Sequence, residues 1–257
     1  MKRFVFDVTV DAANLCNLTR ERDRLRKDIS AGRRVVVFGR RNTGKTSLLR
    51  NVVLPEFEAK HKRAVVLFAD LMGVSDMADI LHRLHGAFEK AVSKAFPGQK
   101  YLKMVTQLFQ GLRPTASADP VTGEFTISFE LAKQKKEMDL TMLFDNISKL
   151  HKHSGALIVL DEFQDITNVP TAQAHFRSLL QELPGTLSVV ILGSKKHLLG
   201  KIFGAPGAPL AGWGIDLSIP TISTEAYRRE YLHYVNERFA AGKQSINQAI
   251  LNFLLSL

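Results

Sequence analysis

The sequence of 257 residues holds a single cysteine, Cys16, which excludes an intrachain disulfide and any zinc site built on paired cysteines. It has no apolar run near the roughly 18 to 20 residues that a membrane-spanning helix needs. It has no signal-peptide core either, because the basic start Met1-Lys2-Arg3 meets Asp7 too soon. The expectation is a cytoplasmic protein without a membrane partner. Internal repeats and low-complexity stretches are also missing, which excludes a solenoid and a disordered tether.

What is present is the balance of an ordinary folded domain, 45% hydrophobic and 23% charged residues. The length suits one sizeable α/β unit with a small appendage. The formal net charge is +10, and residues 20–63 alone hold 14 Lys or Arg against 5 Asp or Glu. Such a face suits the phosphates of DNA, a solvated surface or part of a nucleotide pocket, and charge alone does not choose. His151 and His153, two apart before an apolar run, read as a polar turn and not as a metal site.

The apolar runs set the architecture. Arg33 to Phe38, Ala64 to Ala69, Ala156 to Leu160 and Leu187 to Leu192 are continuous, β-branched-rich and of strand length, with Asp216 to Ile219 a weaker fifth. Helical spacing intervenes, above all at 76–95, where Met77, Ile80, Leu81, Leu84, Phe88 and Val92 share one face. A helix from Thr46 is expected to stop near Pro55. Turn signals at Arg113-Pro114 and Asp119 to Gly123, followed by period-two alternation from Glu124 to Glu130, predict an inserted hairpin. Continuous strands alternating with helices predict a three-layer α/β sandwich around a central, mostly parallel five-stranded sheet. Residues 1–220 would form that nucleotide-binding unit. Residues 221–257, read as two amphipathic helices ending in an apolar stretch, would form a partial helical lid.

Three elements carry chemistry. Gly39-Arg40-Arg41-Asn42-Thr43-Gly44-Lys45-Thr46, followed by Ser47, satisfies the phosphate-binding loop pattern between a strand and a helix. Glycine lets successive N–H groups converge on phosphates, and the helix that follows adds its positive end. Lys45 would reach the β- and γ-phosphates, and the Thr46 hydroxyl would ligate Mg²⁺. Asp161, ending a buried strand, suits the same ion, while Glu162 can polarise a water for attack on the γ-phosphate. Ser194, after the fourth strand and beside the strand of Asp161, is expected to touch the γ-phosphate or that water. Lys195 and Lys196 would face the phosphates or solvent.

Together these elements resemble the additional-strand, catalytic-glutamate division of P-loop proteins that includes AAA+ ATPases. Asn17-Leu18-Thr19-Arg20-Glu21-Arg22-Asp23-Arg24-Leu25, Asp161-Glu162-Phe163-Gln164 and Gly193-Ser194 with Pro209-Leu210 look like the boxes of archaeal-type ATPases of the STAND group, related to origin-recognition ATPases. The resemblance implies ATP rather than GTP, and no guanine-reading motif follows the fourth strand. It also implies an arginine where this sequence has Trp213, so efficient hydrolysis would need another group. Arg40, Arg41, Arg228 and Arg229 are the alternatives. The resemblance also implies a winged-helix domain after the lid, which is expected to be missing if the chain ends at Leu257. Three functions stay open: an ATP- and Mg²⁺-dependent ATPase acting as a switch, a DNA-associated AAA+ module, and a non-hydrolysing nucleotide-binding scaffold with protein partners or a homo-oligomer.

Overall fold

A computed structural model describes residues 9–11, 14–16, 18–108, 112–131, 139–204, 206–208, 210–221, 225–239 and 245–254. The start Met1 to Asp7, Asn17, Pro209 and the last apolar residues 255–257 lie outside the described residues. The strands are β1 (Arg34–Phe38), β2 (Val65–Asp70), β3 (Leu112–Ala118), β4 (Phe125–Leu131), β5 (Ala156–Asp161), β6 (Ser188–Gly193) and β7 (Ile215–Ser218). Five of them form one parallel sheet in the order β2-β5-β6-β1-β7. The expected five-stranded parallel sheet is therefore present, and β6 separates the strand of the glycine loop from that of Asp161.

Ten α-helices connect these strands among the described residues. They are α1 (Thr19–Ser30), α2 (Lys45–Leu48), α3 (Leu54–Lys60), α4 (Met77–Ala95), α5 (Leu102–Leu108), α6 (Leu140–Ser154), α7 (Ala172–Glu182), α8 (Lys196–Leu199), α9 (Glu225–Phe239) and α10 (Gln248–Leu254). Both faces of the sheet are covered, so β5 and β6 are buried along their whole length. Side chains alternate between the two layers, as strand geometry requires. Ile158 and Leu160 meet Phe88, Ile147 and Phe176 of α4, α6 and α7, whereas Leu157 and Val159 meet the layer of Leu25, Ile29 and Leu49. None of the described helices is long and apolar enough to cross a membrane.

The helix from the glycine loop does not stop at Pro55. It passes from α2 through a π-helical turn, Leu49–Val53, into α3, where Pro55 occupies the first turn. The wider turn relieves the clash that a proline ring makes in a regular helix, and a first-turn proline forfeits no needed N–H. The hairpin of β3 and β4 forms as expected, its turn held by Val121 and Thr122 N–H groups donating to Asp119 Oδ1 at 2.7 and 2.8 Å. It is fastened to α4: Ile127 N donates to Ser93 Oγ (2.7 Å) and Phe129 N to Glu89 Oε1 (2.8 Å).

Two expectations change in detail. The basic stretch 20–63 is paired in part, because Asp28 takes Arg24 and Arg33, Asp23 takes Arg22 and Arg26, and Glu56 takes Arg26. Helix α9 is less amphipathic than its sequence suggests: Val235 and Arg238 are the buried residues among its described side chains. Polar clamps hold it instead. Tyr234 Oη donates to Asn14 O (3.0 Å), and Arg238, stacked 3.3 Å over the Tyr234 ring, donates to Asn14 Oδ1 (3.1 Å). His151 belongs to the last turn of α6, accepting from Ala156 N on Nδ1 (3.2 Å) and facing Thr186 Oγ1 at 3.0 Å.

Candidate nucleotide site

The glycine loop leaves β1 at Gly39 and enters α2 at Lys45, so it lies where the strands end in a parallel sheet. Gly44 takes a left-handed backbone (φ 85°), which a side chain would strain, and Asn42 does the same at φ 60°. Gly39 is required for a different reason. A Cβ there would stand 2.9 Å from Ile219 Cβ and 3.0 Å from Thr43 Oγ1. The Thr43 hydroxyl closes the loop on itself by donating to Arg40 O at 2.8 Å.

Lys45 is buried and turns back over this loop, donating through Nζ to Gly39 O (2.8 Å) and Arg40 O (2.7 Å). Two carbonyl oxygens of the loop thus hold the ammonium. Burial pulls its pKa down, while Glu162 and Asp161 raise it and the Arg41 charge lowers it. Thr46 Oγ1 donates to Asp161 Oδ2 at 3.0 Å across the gap between α2 and β5. Asp161 is 5% exposed, and burial raises its pKa, against the bonds from Thr46 and the Glu162 N–H; the charges of Asp70 and Glu162 push it further up. Asp70 pairs in register with Asp161 on the neighbouring strand. The Thr46 hydroxyl and the buried Asp161 carboxylate are hard oxygen donors of the kind a small divalent cation favours. The residues fit Mg²⁺.

Glu162 stands in a left-handed conformation (φ 49°, ψ 38°), unusual for a residue with a side chain. Its Oε2 accepts from Ser194 Oγ (2.8 Å) and from Gln164 Nε2 (2.5 Å). Ser194 therefore touches the glutamate itself. Gln164 also donates to Asp165 Oδ1 (3.2 Å), and its own Oε1 is buried without a partner. Asp165 accepts from Gly73 N (2.9 Å) and from Lys195 Nζ (3.1 Å). Burial raises the Asp165 pKa, but these bonds more than offset it and the net shift is downward. Lys195 thus meets a carboxylate, and Lys196 lies 5.2 Å from the Phe38 ring.

The sequence reading missed Gln164 and Asp165 as parts of this network. The signal was present in Gly193, where a Cβ would collide with Gln164 Oε1 and come within 2.7 Å of Leu199 Cδ1. Arg40 and Arg41 are exposed on the loop, Arg41 reaching Met72 Sδ at 3.8 Å. Ser47 is engaged elsewhere: its Oγ accepts from Val10 N (3.1 Å), while Asn51 donates to Val10 O (2.6 Å). Trp213 is remote from all of these. It precedes β7, whose first residue pairs with Val35, and it lies under Arg34 at 5.4 Å. The five residues of β1 put about 17 Å between that end of the strand and the loop.

With this geometry in view, the comparisons with known proteins give the family. Residues 28–202 match the AAA domain family, more than half of the chain. The chain belongs to that family. AAA domains of this kind are P-loop nucleotide-binding ATPases, and the fold of this chain is theirs. It is similar in structure to the Walker-type ATPase of Pyrococcus abyssi, with TM-score 0.62 and 15% identity over 99% of this chain and 66% of that one. It is similar to the ORC1 protein of Aeropyrum pernix, solved in complex with DNA, with TM-score 0.50 and 17% identity over 91% of this chain and 52% of that one. At such identities the likeness is one of fold, and the chain spans less than two thirds of either structure. No curated protein matches the sequence.

Proposed function

We propose that this AAA domain is an ATP- and Mg²⁺-dependent ATPase that works as a nucleotide-controlled switch. The observation that carries the reading is the convergence of Lys45, Thr46 and Asp161 at one end of the sheet, with Glu162 one residue on. The loop amides and Lys45 would hold the β- and γ-phosphates, the ammonium exchanging its two carbonyl partners for phosphate oxygens. Thr46 and Asp161 would hold Mg²⁺, which neutralises charge on the phosphates when bound. Glu162 would orient the attacking water once it leaves Ser194 and Gln164. Ser194 is then a brake on the glutamate before it is a contact to phosphate. Residues 1–220 act as the nucleotide unit and 221–257 as a partial lid joined to it through Asn14.

An arginine in place of Trp213 would not reach phosphates held by the same chain, so tryptophan there does not argue against hydrolysis. Arg40 and Arg41, exposed on the loop, are better placed to complete the charge. Phosphate release with and without Mg²⁺ tests the reading. Lys45→Ala is expected to lose ATP binding, and Glu162→Gln to retain ATP while turnover falls by about 10² or more. Undiminished turnover in Glu162→Gln would remove the assigned role. A DNA-associated module is the second reading. Its support is the basic net charge, and its test is retention on DNA that weakens steeply with salt.

A further inference from the structure

A group of exposed cations stands at the end of the sheet away from the glycine loop. The central strands are parallel, so the segments that precede β2 and β5 meet along one edge. The loop before β2 presents Lys60, Lys62 and Arg63, all exposed. Helix α4 returns to the same edge, where Lys94 Nζ meets Glu58 Oε1 at 2.6 Å. The chain that follows contributes Lys100 and Lys103, both exposed. Tyr101 lies between these groups, its ring centroid 5.5 Å from Arg63 Cζ and 5.0 Å from Lys100 Nζ. The segment before β5 closes on them, since Val65 N donates to Gly155 O at 3.0 Å, and it brings Lys152, exposed in the last turn of α6. Among the described residues no carboxylate stands within ion-pair distance of Lys60, Lys62, Arg63, Lys100, Lys103 or Lys152.

We infer that this corner of the sheet binds the phosphate backbone of duplex DNA, an inference that rests on the DNA-associated reading and gives it a surface. Duplex DNA carries one charge per about 1.7 Å of axis and releases counterions to each cation that neutralises it. Six exposed cations at one rim, two of them against the Tyr101 ring, suit that partner. Discrete carboxylates of a protein would call for fixed forked partners, and five of these six cations are flexible lysines. A lipid surface would need apolar side chains to insert. The exposed large ones, Met72, Val121, Ile250, Phe253 and Leu254, belong to none of the segments that carry these cations. The six residues of β2 span about 17 Å from this corner to the other rim, and β5 and β6 stand between β2 and the strand of the phosphate loop, so DNA and nucleotide do not compete for Lys45.

The test is fluorescence polarisation of a labelled duplex of ~20 base pairs, with ATP and Mg²⁺ saturating the loop, between ~50 and ~200 mM salt. Lys62→Glu with Lys100→Glu is expected to weaken binding about tenfold or more and to reduce the log–log salt slope by about 1.8. ATP turnover stays at the wild-type rate. Arg20→Glu with Lys201→Glu, the same change in net charge elsewhere, is expected to leave the slope unaltered. The milder Lys62→Ala with Lys103→Ala, checked by thermal melting, guards against a folding defect. If both glutamate pairs weaken binding equally, the corner is wrong while the DNA reading stands. If the wild type does not bind at low salt, both fall. Tighter binding to phosphatidylserine vesicles than to the duplex also overturns the proposal.

Discussion

Asp161 bears the consequences of burial most directly of the residues in the site. Its raised pKa means that the folded chain holds a proton there more tightly than the unfolded chain does. The sign follows from linkage: that stabilisation is complete below the ordinary carboxylate range and is lost as pH rises through the raised value. At neutral pH an ionised Asp161 is therefore a cost to the nucleotide-free fold, which a divalent cation bound there would offset. Asp161→Asn is expected to raise the melting temperature of the nucleotide-free protein at pH 7 and to flatten the acid side of its stability profile. It should also abolish the Mg²⁺ dependence of ATP binding. A lower melting temperature at pH 7 would contradict the burial argument. The motif residues were legible because local spacing defines them. Asp165 was not, because its bonds to Gly73 and Lys195 join residues 92 and 30 positions apart.

At the scale of elements, the strands were easy to read and their connections were not. Runs such as Ala156 to Leu160 are buried on both faces and leave little alternative to a central strand. The π-helical turn before Pro55 has no comparable signature, since the proline that signals a stop in sequence is accommodated by a change of helical pitch. The hairpin was visible from its turn residues, but its attachment to α4 depends on Ser93 and Glu89, which look like surface residues of a helix. Ser93 holds the Ile127 backbone on both sides, accepting from its N–H and donating to its carbonyl at 3.3 Å. Ser93→Ala leaves that buried N–H without an acceptor, at a cost of about 1–3 kcal/mol. The expected result is hydrogen exchange at Ile127 faster by about tenfold or more, with ATP affinity unchanged. Equal loss of protection throughout β5 and β6 would mean that the hairpin is part of the central cooperative unit.

For the molecule as a whole, binding to the native state alone must appear as stability. ATP with Mg²⁺ at about 100 times its dissociation constant should add roughly 2.7 kcal/mol. The thermal shift should vanish in Lys45→Ala, whose unliganded fold loses the two bonds to Gly39 and Arg40 and no core packing. A shift that persists in this variant would point to nucleotide bound elsewhere. Composition gave the basic net charge but not which cations are paired, because only the fold reveals that Asp23, Asp28 and Glu56 serve Arg24, Arg26 and Arg33, Glu56 meeting Arg26 from 30 positions away.

The shared direction of the five central strands has one more result. Every strand begins at one rim and ends at the other, so the connecting segments are sorted into two sets with a rigid slab between them. Lengthening a segment at the rim of Lys62 changes what the molecule docks with and leaves the rim of Lys45 untouched. Such a scaffold can exchange its cargo without retuning its engine, and a short peptide grafted between Lys62 and Arg63 should be carried with nucleotide affinity intact.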